Sequence, residues 1–238
     1  MSKYFDESKW ARAAKYPDWY LRINDEYRQV LKLANEDKSG KIKNEIKDFF
    51  AALIDKNQLC LGGPSPKLDE DRKPIDTIII HHTSSKPGYT LKRLSVTHLL
   101  NIYVPYYINP VGNPELKGKP ISSNHYQDDK MVFYAYHWFI KMDGRAIRLL
   151  PDHAIGWHAG NWDVNTRSVA ICLDNDYEHT CPTKLVLASV ASVIKKNYQH
   201  LQSKNILGHG EVYSETVCPG NLFLAKWKKQ LIRLINRG

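Results

Sequence analysis

A chain of 238 residues, 42% of them hydrophobic, is long enough to bury its own core, and its four cysteines (Cys60, Cys172, Cys181 and Cys218) are too few and too scattered for a disulfide framework, although a single bridge stays open. Thirty-four Lys and Arg against 25 Asp and Glu leave a net charge of +9, which favours an anionic partner without choosing among nucleic acid, membrane surface and acidic cell-wall material. No apolar run approaches the ~20 residues of a membrane span, and the opening MSKYFDESKWARAAKYPDWY has no signal-peptide core, so a soluble protein made for the cytoplasm, with no membrane span, is expected.

Residues 1 to 60 read as helical. Ile42, Ile46, Phe49, Phe50, Leu53 and Ile54 form one apolar stripe at helical spacing, and Ile23, Tyr27, Val30, Leu31 and Ala34 form another. The polar run Asn35 to Gly40 between them predicts two antiparallel helices, packed on each other or on the next domain rather than forming a binding module. LGGPSPKLDEDRKP, Leu61 to Pro74, has the composition of a linker.

The stretch TIIIHHTSSKP, Thr77 to Pro87, changes character within three residues. Ile78, Ile79 and Ile80 predict a central strand buried on both faces, and His81 and His82 follow at once, at the strand edge where sites on α/β sheets usually lie. Adjacent histidines can equally cap a strand. Leu91 to Tyr103 reads as an amphipathic helix. Pro105 to about Lys130 is then crowded with Pro, Gly, Asn and Asp, a long irregular insertion suited to bordering a binding groove, with His125 as a loop residue.

Val132 to Ile140 predicts a strand, Lys141 to Arg145 a turn with the Asp-Gly pair that hairpins favour, and Ala146 to Leu150 the returning strand. GWHAGNW, Gly156 to Trp162, is a glycine-flanked loop, and Ser168 to Leu173 is a second buried strand in which Cys172 is a small core residue. Leu185 to Leu201 and Leu222 to Ile235 read as helices, the second one basic. Between them His209 and Cys218 fall in a glycine-rich loop that exposes side chains. With His81 they make a His, His, Cys set of the kind that holds a catalytic Zn²⁺ with its fourth position open to water. The residues alone also admit a surface thiol and two unrelated histidines, because a step of nine positions from His209 to Cys218 is no standard finger spacing.

IIIHHTSSKP, YHWFIKMDGR, GWHAG with SVAICL, and HGE with CPGNL follow one another in an order and at separations that resemble the zinc-dependent N-acetylmuramoyl-L-alanine amidases, the family shared by phage lysozyme-amidases and animal peptidoglycan recognition proteins. The likeness covers roughly residues 74 to 236. It implies an α/β fold, a central mixed β-sheet flanked by helices, here with an N-terminal helical extension. The expected division is a helical extension over 1–60, a linker over 61–74 and a zinc amidase domain over 75–238. The resemblance implies His81, His209 and Cys218 as zinc ligands, with His82 a neighbour. It further implies Tyr136, Thr216 and His158 as catalytic residues, Thr216 supporting an oxyanion and His158 lining the substrate site, with His82, His137, Trp157 and Asn161 at the substrate. The activity implied is hydrolysis of the amide bond between N-acetylmuramic acid and L-alanine in peptidoglycan or muropeptides. The rival reading from the same family is a peptidoglycan binder without activity, but such members typically lack a zinc ligand that this chain keeps.

The chain departs from the family pattern in a late loop one residue longer than in the phage enzymes, in lacking the cysteine pair that animal members carry after the HHT segment, and in the insertion and N-terminal helices. No recognisable DNA or RNA motif accompanies the positive charge, so no nucleic-acid partner is expected. The expected protein is a monomer that acts in the cytoplasm or reaches the cell wall as an endolysin-type enzyme.

Overall fold

In the computed structural model, residues 2–63 and 68–237 are described; part of the expected 61–74 linker lies outside them. In chain order the elements are helices α1 (Glu7–Ala13), α2 (Trp19–Arg22), α3 (Asn24–Glu36) and α4 (Lys41–Asp55), strand β1 (Thr77–His82), helices α5 (Leu91–His98) and α6 (Val104–Ile108), strands β2 (Tyr126–Gln127), β3 (Lys130–Met131), β4 (Trp138–Ile140) and β5 (Ala146–Arg148), helix α7 (Trp162–Arg167), strand β6 (Ser168–Leu173), helix α8 (Lys184–Asn197), strand β7 (Ile206–Gly208) and helix α9 (Lys228–Asn236). They pack as two compact units that do not follow chain order: Met1–Leu68 with Thr90–Phe133, and Asp69–Tyr89 with Tyr134–Gly238.

The first unit has an aromatic core. Both predicted stripes turn inward, burying Ile23, Tyr27, Val30 and Ala34 of one and Ile42, Ile46, Phe50 and Leu53 of the other. The turn between α3 and α4 is held by Asp37, whose carboxylate accepts from the Ile42 N–H at 3.0 Å. Trp10 and Trp19 meet Phe50 at ring separations of 6.0 and 5.3 Å. The insertion expected to be irregular belongs to this core. Helix α5 runs through a π turn (Leu99–Tyr103) into α6, so the helix passes Pro105 rather than stopping before it. Pro105 stands in the first turn of α6, where a proline removes no needed hydrogen bond. Tyr107 is buried, takes the Ser122 N–H on its hydroxyl at 3.1 Å, and lies 6.1 Å from Tyr20 ring to ring. Ile121, Ser122, Ser123 and His125 are buried beyond it, which accounts for an insertion that packs instead of looping out.

The second unit is a five-stranded mixed sheet in the order β5-β4-β6-β1-β7. Strands β4, β6, β1 and β7 run parallel, and β5 pairs antiparallel with β4 across the Lys141 to Arg145 turn. Gly144 in that turn has φ +82, the left-handed conformation that glycine tolerates best. Strand β1 is central and fully buried, in register with β6 from Thr77 opposite Ser168 to His81 opposite Cys172. Ile78 and Ile80 share a core with Val190 and Ile194 of α8, Leu231 of α9 and Trp227 just before it, while Ile79 clusters with Ala159 and Val164.

Three elements differ from expectation. Only Trp138–Ile140 of the predicted 132–140 strand pairs, because the backbone before it is engaged elsewhere: Val132 N–H bonds the His125 carbonyl and Phe133 N–H the Ser95 hydroxyl. A short helix, α7, precedes β6, started by the Asn161 side chain accepting from Val164 N–H. His209 follows a strand, β7, rather than lying in a loop between two helices.

Candidate metal centre

Alternation along β1 separates the two adjacent histidines. Successive side chains of a strand point to opposite faces, so His81 shares the face of Ile79 and His82 that of Ile78 and Ile80. His82 is buried, with Nδ1 accepting from the Tyr177 N–H at 2.8 Å. That nitrogen is thereby anchored to the backbone of the fold.

Strand β7 brings the second histidine to the first. Gly208 pairs with Ile80, so His209 emerges beside His81, with ring centroids 4.6 Å apart. The chain then folds back until Gly210 N–H donates to the Cys218 carbonyl at 2.7 Å. This closure needs glycines: a Cβ on Gly210 would lie 2.7 Å from the Thr216 carbonyl, and one on Gly220 only 1.9 Å from that of Tyr177. The result is that one ligand atom from each of His81, His209 and Cys218 lies within 4.8 Å of the others.

The set fits a zinc ion. Cys218 Sγ is 3.7 Å from His81 Nδ1. Bond lengths of about 2.3 Å for Zn–S and about 2.0 Å for Zn–N at a tetrahedral angle require an S···N edge of about 3.5 Å. Burial pushes the Cys218 thiol up to about 12, opposed by the His82 backbone N–H, and burial lowers His209, opposed by the Ala159 carbonyl. A buried thiol of that kind ionises when a cation supplies the compensating charge, and the neutral imidazole that burial favours is the form that binds a metal.

Tyr136 lies beside the set, its ring centroid 5.0 Å from that of His81. It sits in extended chain just before β4 and is partly buried; burial first, then the neighbouring thiols of Cys172 and Cys218, hold its phenol well above the ordinary value. Cys172 is fully buried, as its apolar neighbours predicted. Thr216 accepts from the Cys218 N–H on Oγ1 at 3.2 Å, which sets its hydroxyl next to the thiol's own residue.

Two other expected residues are buried. His137 is fully buried, taking the Ala170 N–H on Nδ1 at 3.1 Å and donating from Nε2 to the Ala154 carbonyl at 3.0 Å. It ties the approach to β4 onto β6. His158 is buried behind His81, with Nδ1 3.1 Å from His81 Nε2 and Nε2 3.1 Å from Ser168 Oγ. Both ring nitrogens thus have protein partners. Trp157 is half-buried and Asn161 exposed on the same loop, with the Trp157 ring edge-on to Trp162 at 6.0 Å.

Sequence reasoning missed three residues that shape the site. Asn165 Oδ1 accepts from the N–H groups of both His158 and Ala159, at 3.1 and 2.8 Å, and so folds the WHAG loop. Tyr213 stacks on the His209 ring at 5.8 Å and 19°. Ser168 touches His158 from the first position of β6. No spacing rule marks any of them, since each meets its partner through the fold.

The family model described as N-acetylmuramoyl-L-alanine amidase matches residues 71–221. No curated protein sequence matches the chain. Among solved structures it is similar to the N-acetylmuramoyl-L-alanine amidase LysC from Clostridium intestinale, at 21% identity over 72% of this chain and 93% of that one with a TM-score of 0.43. It is likewise similar to the Ph2119 endolysin of a Thermus scotoductus bacteriophage, at 18% identity over 69% and 87% with a TM-score of 0.44. Drosophila peptidoglycan recognition protein SD is also similar, at 19% identity over 70% and 89% with a TM-score of 0.44.

Proposed function

The chain belongs to the N-acetylmuramoyl-L-alanine amidase family, and from that membership we propose that it is a zinc-dependent hydrolase cleaving the amide bond between N-acetylmuramic acid and L-alanine in peptidoglycan or its fragments. The observation that carries this reading is the convergence of His81, His209 and Cys218 to within 4.8 Å, with Tyr136 against His81. Three protein ligands are the number a catalytic zinc site uses. When bound there, zinc would polarise the amide carbonyl and lower the pKa of a water from 15.7 to about 7.

The chain's own side chains supply the rest. We assign the hydrogen bond to the carbonyl oxygen, as negative charge develops on it, to the Tyr136 hydroxyl, on the support of its ring lying 5.0 Å from that of His81. Thr216 uses its oxygen lone pair on the Cys218 N–H and keeps its proton for a second bond to that oxygen. The proton that the attacking water gives up is the one the departing L-alanine amine takes up, and we assign its relay to the Tyr136 hydroxyl, since both nitrogens of His158 have other partners. Trp157 offers a face to the sugar, and the Asn161 amide N–H₂ remains available to the stem peptide while its oxygen caps α7.

Elemental analysis together with mass spectrometry of digested muropeptides tests this reading. The expected result is about one zinc per chain and release of a free L-alanine amino terminus, both lost in Cys218→Ala. A chain that loads zinc and retains muropeptides without cutting them is a binder, and the hydrolase reading fails; a chain that takes up no zinc from a zinc-replete buffer removes the metal assignment.

A further inference from the structure

We infer that Ser168 and His158 form a hydrogen-bond relay that fixes the tautomer of His81, leaving its Nδ1 lone pair turned toward Cys218. The direction of each bond follows from the one before it. Ser168 Oγ is 2.6 Å from the Val164 carbonyl oxygen, and a carbonyl only accepts, so the single hydroxyl proton lies on that line. Ser168 Oγ therefore faces His158 Nε2, 3.1 Å away, with a lone pair, and the imidazole must donate from Nε2. His158 is buried and has no carboxylate among its hydrogen-bond partners in the described residues, so it is the neutral ring, protonated on one nitrogen alone. Its Nδ1 is then an acceptor for His81 Nε2, 3.1 Å away, and His81 carries its proton there. The remaining nitrogen of His81, Nδ1, is the one 3.7 Å from Cys218 Sγ.

The relay starts from a fixed point. Val164 belongs to α7, four residues before Ser168, and the helix opens directly into β6, so the carbonyl and the hydroxyl are held by continuous regular structure. Thr77 opposite Ser168 and His81 opposite Cys172 set the two ends of the relay on paired strands, and His158 spans the gap between them. A histidine ligand fixed by a partner on its other nitrogen loses less freedom on binding and is the stronger base. Ser168 and His158 are positioning residues on this account, and neither touches the reacting atoms. The inference rests on the zinc reading for its consequence and not for its geometry.

The test uses the full-length protein, parental and with Ser168→Ala, Ser168→Thr or His158→Phe. Long-range ¹⁵N–¹H correlation spectra of the metal-free protein report which His81 nitrogen is protonated; the parental chain is expected to show protonated Nε2, and Ser168→Ala a mixture of tautomers. Zinc affinity, measured by competition with a chromophoric chelator, should fall about 10- to 100-fold in Ser168→Ala and His158→Phe, the usual scale for losing such a partner. Ser168→Thr keeps the hydroxyl and should restore both readouts, with far-UV circular dichroism confirming that each variant is folded. A parental His81 protonated on Nδ1 overturns the relay whether or not the protein takes up zinc. A folded Ser168→Ala with parental tautomer and affinity overturns it as well. If the parental chain binds no zinc but shows the expected tautomer, the relay stands and the metal reading alone fails.

Discussion

The Asp174 carboxylate is buried and the Lys141 ammonium reaches it at 3.1 Å, a largely enclosed ion pair at the end of β6. The same carboxylate accepts the N–H groups of Gly88 and Tyr89, each at 3.1 Å, and Lys141 also bonds the Tyr89 carbonyl. One lysine and one aspartate thereby tie down the segment that follows the histidine strand. Removing one partner of such a pair leaves a desolvated charge, a larger loss than the pair's net contribution. Lys141→Met keeps the stem and deletes the charge, and should lower stability by about 2–4 kcal/mol. The denaturant midpoint measures it; an unchanged midpoint would mean that the two backbone N–H groups suffice for Asp174.

His137 predicts an acid sensitivity. Burial first, with the Arg72 charge adding to it, lowers its pKa from the ordinary 6.5 to about 3. Because the folded value is below the unfolded one, the unfolded chain takes up the proton first as the pH falls. Stability is thus complete above about pH 6.5 and is lost progressively down to about pH 3. At pH 4.5 the single ring accounts for up to about 2.7 kcal/mol of that loss. His137→Gln, which does not titrate, should show a correspondingly smaller drop in denaturant midpoint between pH 7 and pH 4.5. Parallel acid profiles for the two proteins would exclude His137 as the source.

Tyr136→Phe removes one hydroxyl and no ligand. Muropeptide turnover should fall by roughly 10²-fold or more, the scale of losing one donor to a developing oxyanion, while zinc content stays parental. The split between the two measurements is the informative part. Parental turnover would make Tyr136 a packing residue, and zinc loss would place it in support of His81 instead.

Much of the fold was legible because its signals are local. The apolar run Ile78 to Ile80, the stripes of α3 and α4, and the Asp-Gly turn at residue 143 each act over a few residues, where spacing and steric preference are the whole story. The His, His, Cys set was readable for a related reason, since few residue types bind zinc and glycines flank the late pair. Tertiary structure decided the rest. Strand parity brought His81, and not His82, to His209 and Cys218 once β1 was buried on both faces. His137 and His158 find their hydrogen-bond partners at residues 154, 168, 170 and 81, which no spacing foretells. Segment 105–130 looked like loose loop because its composition is turn-rich, yet Tyr107, Ile121 and Ser122 are buried in the first unit. Composition reports what a segment prefers in isolation; burial against distant residues outweighs that preference, and only the folded chain shows where it does.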